Sequence, residues 1–86
     1  MAYSIAPSKQ YDRDIKHLKK KHLETFKQLM SKIERISTNP YHTGHPLRSK
    51  YKGLWETHIQ NNILVYRIKE ETKVVELVSY IDHDIL

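Results

Sequence analysis

A chain of 86 residues has room for one small domain, and at that size only about 60% of the unfolded surface leaves water, so its core must be economically patterned. The absence of cysteine excludes disulfides, a thiolate nucleophile and Cys-ligated zinc, and no apolar run approaches the roughly 18–20 residues that cross a bilayer. The formal charge of +5 is unevenly spread: residues 1–52 carry 12 Lys and Arg against 4 Asp and Glu, and residues 53–86 carry 3 against 6. A basic front half suits a polyanion such as nucleic acid, although a lysine-rich solvated helix face accounts for the same charge.

The opening residues lack the charged start and apolar stretch of a secretion signal, so a cytoplasmic protein without membrane attachment is expected. Tyr3 and Ile5 alternate with small residues over Ala2–Ala6, as in a short strand. Pro7-Ser8 ends it, and Ser8 is placed to cap a helix. Tyr11, Ile15, Leu18 and His22 then recur at helical spacing, followed by a broader stripe of Leu23, Phe26, Leu29, Met30, Ile33 and Ile36. The change of stripe phase near Lys19-Lys20-Lys21 predicts two helices joined by a tight turn. Asn39-Pro40 closes the helical part, because the residue before proline avoids the α region. Residues 39–50, with Pro40, Gly44 and Pro46, read as an ordered loop.

The last third favours strands. Tyr51–Gln60, Ile63–Ile68 and Lys73–Ile81 are rich in β-formers, with Asn61-Asn62 and Lys69-Glu70-Glu71-Thr72 as turns. A two-residue turn at Asn61-Asn62 would place Ile59 opposite Leu64 and Glu56 opposite Arg67, the latter as a cross-strand ion pair. The expected fold is α+β in the order β-α-α-β-β-β, a small antiparallel sheet packed on one face by a two-helix hairpin. Trp55, Ile59, Leu64, Tyr66 and Ile68 would face the helices. Glu56, His58, Gln60 and Arg67 would face solvent without apolar cover.

Two groups of residues can carry chemistry. His17 and His22 are five apart, wrong for two ligands on one helix face, and His42-x-x-His45 has no carboxylate to complete a metal site, so no metal or other cofactor is expected. His45, His58 and His83 fall in the loop before the sheet, in a strand and near the end of the last strand. Histidines beside cations suit acid–base cleavage of a phosphodiester, in which RNA supplies its own 2′-hydroxyl nucleophile. The second group is Arg48-x-Lys50-x-Lys52 with Tyr51 interleaved; alternation in an extended segment would place the three charges on one side, for phosphate or as solvated edge charges.

The strings His45-Pro46-Leu47-Arg48, Tyr51-Lys52-Gly53-Leu54-Trp55-Glu56, His58-Ile59 and Ile63-Leu64-Val65-Tyr66-Arg67-Ile68 resemble the RelE/ParE superfamily of toxins, and within it the YafQ-like branch. The resemblance covers nearly the whole chain. It implies the toxin of a type II toxin–antitoxin pair, a ribosome-dependent, metal-independent endoribonuclease that cleaves mRNA in the A site. Its implied partners are a cognate antitoxin and the programmed ribosome, with DNA reached only through the antitoxin. Carried over by position, His45, His58 and His83 match the branch's catalytic histidines, with His58 and His83 as base and acid and His45 holding the phosphate. Arg48, Lys50, Lys52 and Arg67 would face RNA.

The chain departs from the branch at three places. Asn61-Asn62 stands where the branch carries an aspartate, so Asn62 would position the substrate by hydrogen bonds and not by proton transfer. Ser79 or Tyr80 replaces an arginine of the last strand, and the aromatic residue that follows the final histidine is absent. Two other functions fit the same fold: a ParE-like gyrase inhibitor without nuclease activity, and a catalytically weak relative that acts through antitoxin binding.

Overall fold

The computed structural model describes residues 2–82. Strand β1 (Ser4–Pro7) leads into helices α1 (Lys9–Asp14), α2 (Lys16–Lys21) and α3 (Leu23–Thr38), and a single-turn helix α4 (Pro40–Thr43) follows. Strands β2 (His45–Pro46), β3 (Trp55–Ile59), β4 (Asn62–Lys69) and β5 (Val74–Asp82) complete the chain, with a 3₁₀ turn at Ser49–Tyr51 between β2 and β3. The α+β class and the order of major elements are as the sequence predicts. The sheet is mixed, however: its order is β1-β5-β4-β3-β2, and β1 lies parallel to β5 while the other pairs are antiparallel.

Local chemistry explains the elements. The Ser8 hydroxyl oxygen accepts from the Tyr11 N–H (3.0 Å), capping α1, and its O–H donates to the Val78 carbonyl (2.7 Å), so one side chain joins the helix start to β5. Asp14 accepts the backbone N–H of Tyr80 (2.9 Å) at the other end of α1. Ile15 only interrupts the helix, since its N–H still reaches the Tyr11 carbonyl (3.1 Å). The joint before α3 is the single residue His22, with φ −135° and ψ 63°, and not the lysine run before it. The loop expected from residue 39 contains two further elements, because Pro40 starts α4 at a position where a missing N–H costs nothing.

Tyr11, Ile15 and Leu18 from α1 and α2, Leu29 and Ile36 from α3, and Ile59, Leu64, Tyr66, Val75, Leu77 and Tyr80 from the sheet form the core. Trp55 and Ile68 pack against its margin, as their alternation predicts. Leu23 and Met30 remain exposed, so the apolar stripe of α3 is wider than the surface it buries.

The β3–β4 hairpin is in a different register from the expected one. Ile59 faces Asn62, Thr57 faces Leu64 and Glu56 faces Val65, and the turn is Gln60-Asn61. Gln60 adopts the left-handed φ of 55°, and its amide is tied to α3, accepting from Thr25 (3.1 Å) and donating to Gln28 (3.1 Å). These tertiary bonds outweigh the preference of asparagine for the turn. A shift of two residues keeps every side chain on its face but changes its partner. Glu56 and Arg67 therefore do not pair; Arg67 bonds Glu76 instead (2.9 Å).

Tyr66 is fully buried and ties the helical layer to the sheet: its hydroxyl donates to the Pro40 carbonyl (2.7 Å), and its ring stacks on Trp55 (6.4 Å between centroids). Gly44 passes between this hydroxyl and the Glu56 carbonyl so closely that a Cβ would collide with both. At the opposite edge, Glu70 bonds Lys73 and accepts from Tyr41 and Tyr3 (2.7 Å each), which draws α4, β1 and the β4–β5 turn together.

Three predictions follow from these contacts. Gly44→Ala should destabilise the fold by about 1–3 kcal/mol through overpacking, with a melting point lowered by roughly 4–8 °C per kcal/mol in thermal unfolding; Tyr66→Phe, which leaves the Pro40 carbonyl unpaired, should cost about 1–3 kcal/mol. The Glu70 carboxyl is held down at about 2 by Lys73, Tyr41 and Tyr3, against an ordinary value of 4.5. Its folded-state pKa is depressed, so its stabilisation is present above about pH 4.5 and is lost as pH falls toward 2. The difference in melting temperature between the wild type and Glu70→Gln should narrow across that interval; a constant difference would contradict the assignment.

Candidate active face

The face of the sheet turned away from the helices collects the chemistry-bearing side chains. Residues i and i+2 of a strand share a face, as do residues directly opposite in an antiparallel pair. Glu56 and His58 on β3 therefore point the same way, and His45, opposite Glu56 in the β2–β3 register, joins them. The Glu56 carboxylate lies 3.7 Å from Nε2 of His58, with the His58 side chain 48% exposed. Glu56 is half-buried, and the short β2 strand exists because the chain can pass over Glu56 at the side-chain-free Gly44.

This face is only partly open. Ile63 and Val65 are buried, and residues 47–54 fold back over the sheet. Leu47, Tyr51 and Leu54 enclose an apolar slot of about 210 Å³ with Val65, Val78, Ser79 and Ile81. A β-bulge between β4 and β5, opposite Val65 and Tyr66, turns the consecutive Val78 and Ser79 into that slot while Leu77 and Tyr80 stay in the core. The expected absence of apolar cover is thus corrected: the loop supplies a lid beside the histidines.

The cationic run takes a different shape from the expected one. Ser49–Tyr51 is a 3₁₀ turn with Ser49 at a φ of 58°, so Arg48, Lys50 and Lys52 do not line one side of an extended segment. All three are exposed, and the Lys50 ammonium lies 5.3 Å from the centre of the Tyr51 ring. Arg67 is on the histidine face with its charge committed to Glu76. Asn62 is on the other face, donating to the Tyr80 hydroxyl (3.0 Å), and so stands apart from His58. His83 lies outside the described residues. Among the described residues no group of three His, Asp or Glu side chains is gathered as a metal site.

The structure thus brings His45 and His58 to one face around Glu56 and separates Asn62 from them. Sequence reasoning missed Glu56 by assigning it to Arg67. The signal was present in the spacing Glu56-x-His58, which in a strand puts carboxylate and imidazole side by side.

Comparison with known proteins bears on family and fold. Residues 3–86 match the family described as the bacterial toxin of type II toxin–antitoxin systems, YafQ. The protein called RelE4 in Methanocaldococcus jannaschii is 29% identical over 83 residues, covering 95% of this chain and 87% of its own. Escherichia coli YafQ, in the structure of its complex with DinJ, is 28% identical with a TM-score of 0.69, covering 98% of this chain and 97% of its own. A YoeB/ParE toxin from Agrobacterium tumefaciens is 15% identical with a TM-score of 0.85, over 93% of this chain and 98% of its own, a likeness of fold.

Proposed function

Because the chain belongs to the YafQ family of type II toxin–antitoxin toxins, we propose that it is a ribosome-dependent endoribonuclease that cuts mRNA in the A site and that a cognate antitoxin silences it. The observation that carries the reading is the placement of His45 and His58 on one exposed sheet face around the Glu56 carboxylate. A binding toxin without nuclease activity has no need of two imidazoles and a carboxylate on a common face.

In the proposed reaction the ribose 2′-hydroxyl attacks the adjacent phosphorus. The O2′–P bond forms, the P–O5′ bond breaks, and the products are a 2′,3′-cyclic phosphate and a 5′-hydroxyl. One histidine takes the 2′-proton and another gives a proton to the departing 5′-oxygen. His58 and His83 are assigned these transfers, and His45 holds the phosphate. Glu56 faces the His58 ring and offers the protonated imidazole an ion-pair partner at 3.7 Å. Lys50, Lys52 and Arg48, at the rim of the loop that covers the sheet, supply positive charge to the RNA backbone. The apolar slot under that loop, walled by Tyr51, is where a base could be seated out of water.

A ribosome programmed with a defined mRNA, with EDTA throughout and cuts mapped by primer extension, tests the reading. The wild type should cut inside the A-site codon. His58→Ala and His83→Ala should each lower the rate by roughly 10²–10⁴-fold, and Glu56→Gln should lower it less while the protein stays folded by circular dichroism. Intact mRNA in the presence of well-folded wild type would overturn the nuclease assignment and turn attention to gyrase inhibition.

A further inference from the structure

At the outer edge of β3, β2 pairs with Trp55 and Glu56, and among the described residues no strand is paired along that edge beyond Glu56. Behind that edge runs α3, and between the two lies a groove of about 280 Å³ that begins at His58. Its walls are Gln28, Ser31, Lys32 and Arg35 of α3 on one side and Ile59 and Gln60 on the other. Among the described residues, no carboxylate lines it. Lys32 and Arg35 are three apart, on one helical face, and neither has an ion-pair partner among the described residues, whereas Arg67 and Lys73 are each bound to a glutamate.

The neutral groups of the groove have the same bias. Gln60 spends its oxygen on Thr25 and its amide nitrogen on Gln28. Gln28 uses its oxygen as that acceptor, so its remaining side-chain capacity is its N–H₂ donor. The Ser31 hydroxyl has no partner among the described residues. Two cations and two donors thus converge on a space that no carboxylate of the described residues lines, which is the chemistry that recognises a phosphodiester oxygen.

We propose that this groove is a second RNA-backbone site, binding the phosphate that flanks the scissile one, with Lys32 and Arg35 as its counter-charges. The proposal rests on the nuclease reading for the location of the scissile phosphate at His58. A single strand lying across the histidine face continues past the end of β2 over the edge of β3 and enters the groove there, with His58 at the junction of the two sites.

The test uses the full chain, labelled with nitrogen-15, and a short single-stranded RNA blocked against cleavage by 2′-O-methyl groups. Wild type and Lys32→Gln/Arg35→Gln are compared by amide shifts and by affinity at several salt concentrations, and both are assayed for cleavage on programmed ribosomes. RNA should shift the amides of Gln28, Ser31, Lys32 and Arg35. The double variant should bind about three- to tenfold more weakly, with the slope of log affinity against log salt reduced by roughly 0.7–1. RNA affinity unchanged in the double variant overturns the groove, even where wild-type cleavage upholds the nuclease reading. Shifts and weakened binding in a protein that cuts nothing uphold the groove and overturn the nuclease. Inorganic phosphate producing the same shifts, with no gain from RNA, would mark a free-anion site and overturn the proposal. An unchanged RNA affinity joined to lost antitoxin binding would overturn it in favour of a protein contact.

Discussion

The Tyr66 hydroxyl crosses from the sheet to the Pro40 carbonyl, and the arrangement of the histidine face depends on that bond. It fixes α4 over the centre of the sheet, so that the next residues pass along β3 with Gly44 wedged against the Glu56 carbonyl. His45 follows at once, and its place opposite Glu56 comes from this path. A buried polar bond of this kind is short of alternatives: with no water to replace either partner, the carbonyl and hydroxyl specify one geometry. Trp55 stacks on the same ring and meets Tyr41 edge-on at 5.4 Å, extending the constraint to the molecular surface.

The helices and strands were legible because their apolar periods are long and regular. Tyr11, Ile15 and Leu18 declare one face of a helix, and Ile59, Leu64 and Tyr66 declare one face of a sheet. What escaped was decided by contacts between distant residues. Gln60 takes the hairpin turn because Thr25 and Gln28 hold it, so nearby asparagines misled. The parallel pairing of β1 with β5 leaves no local trace, and β2 is too short for periodicity to register. Of the site, the histidines were singled out by residue type and family likeness, and the register puts His45 and His58 on one face. Glu56 was seen as a charge but given the wrong neighbour, and Asn62, read as a turn residue beside the substrate, is instead the first residue of β4 and bonds Tyr80.

Charge separates into two uses. Glu70 with Lys73, and Arg67 with Glu76, are spent within the molecule, joining turns and neighbouring strands. Lys50, Lys52, Lys32 and Arg35 have no such commitment among the described residues and lie on both sides of His58, around the loop and along α3. An uneven sequence charge thereby becomes a positive margin around a histidine face that contains its own carboxylate. In the proposed function, that margin is what attracts RNA from a distance, and the imidazoles are what act on it at contact.

The pairing of Ser4–Pro7 with Val74–Leu77 joins segments about 70 positions apart in the chain. Closing so long a loop is slow relative to forming a hairpin or a helix, and it cannot happen before the second partner exists outside the ribosome. During synthesis the helices emerge first and the β3–β4 hairpin later, while the strand that lies between β1 and β4 appears after both of its neighbours. Until β5 has emerged, a growing chain is therefore an unfinished sheet, with β1 and β4 each lacking the strand that lies between them.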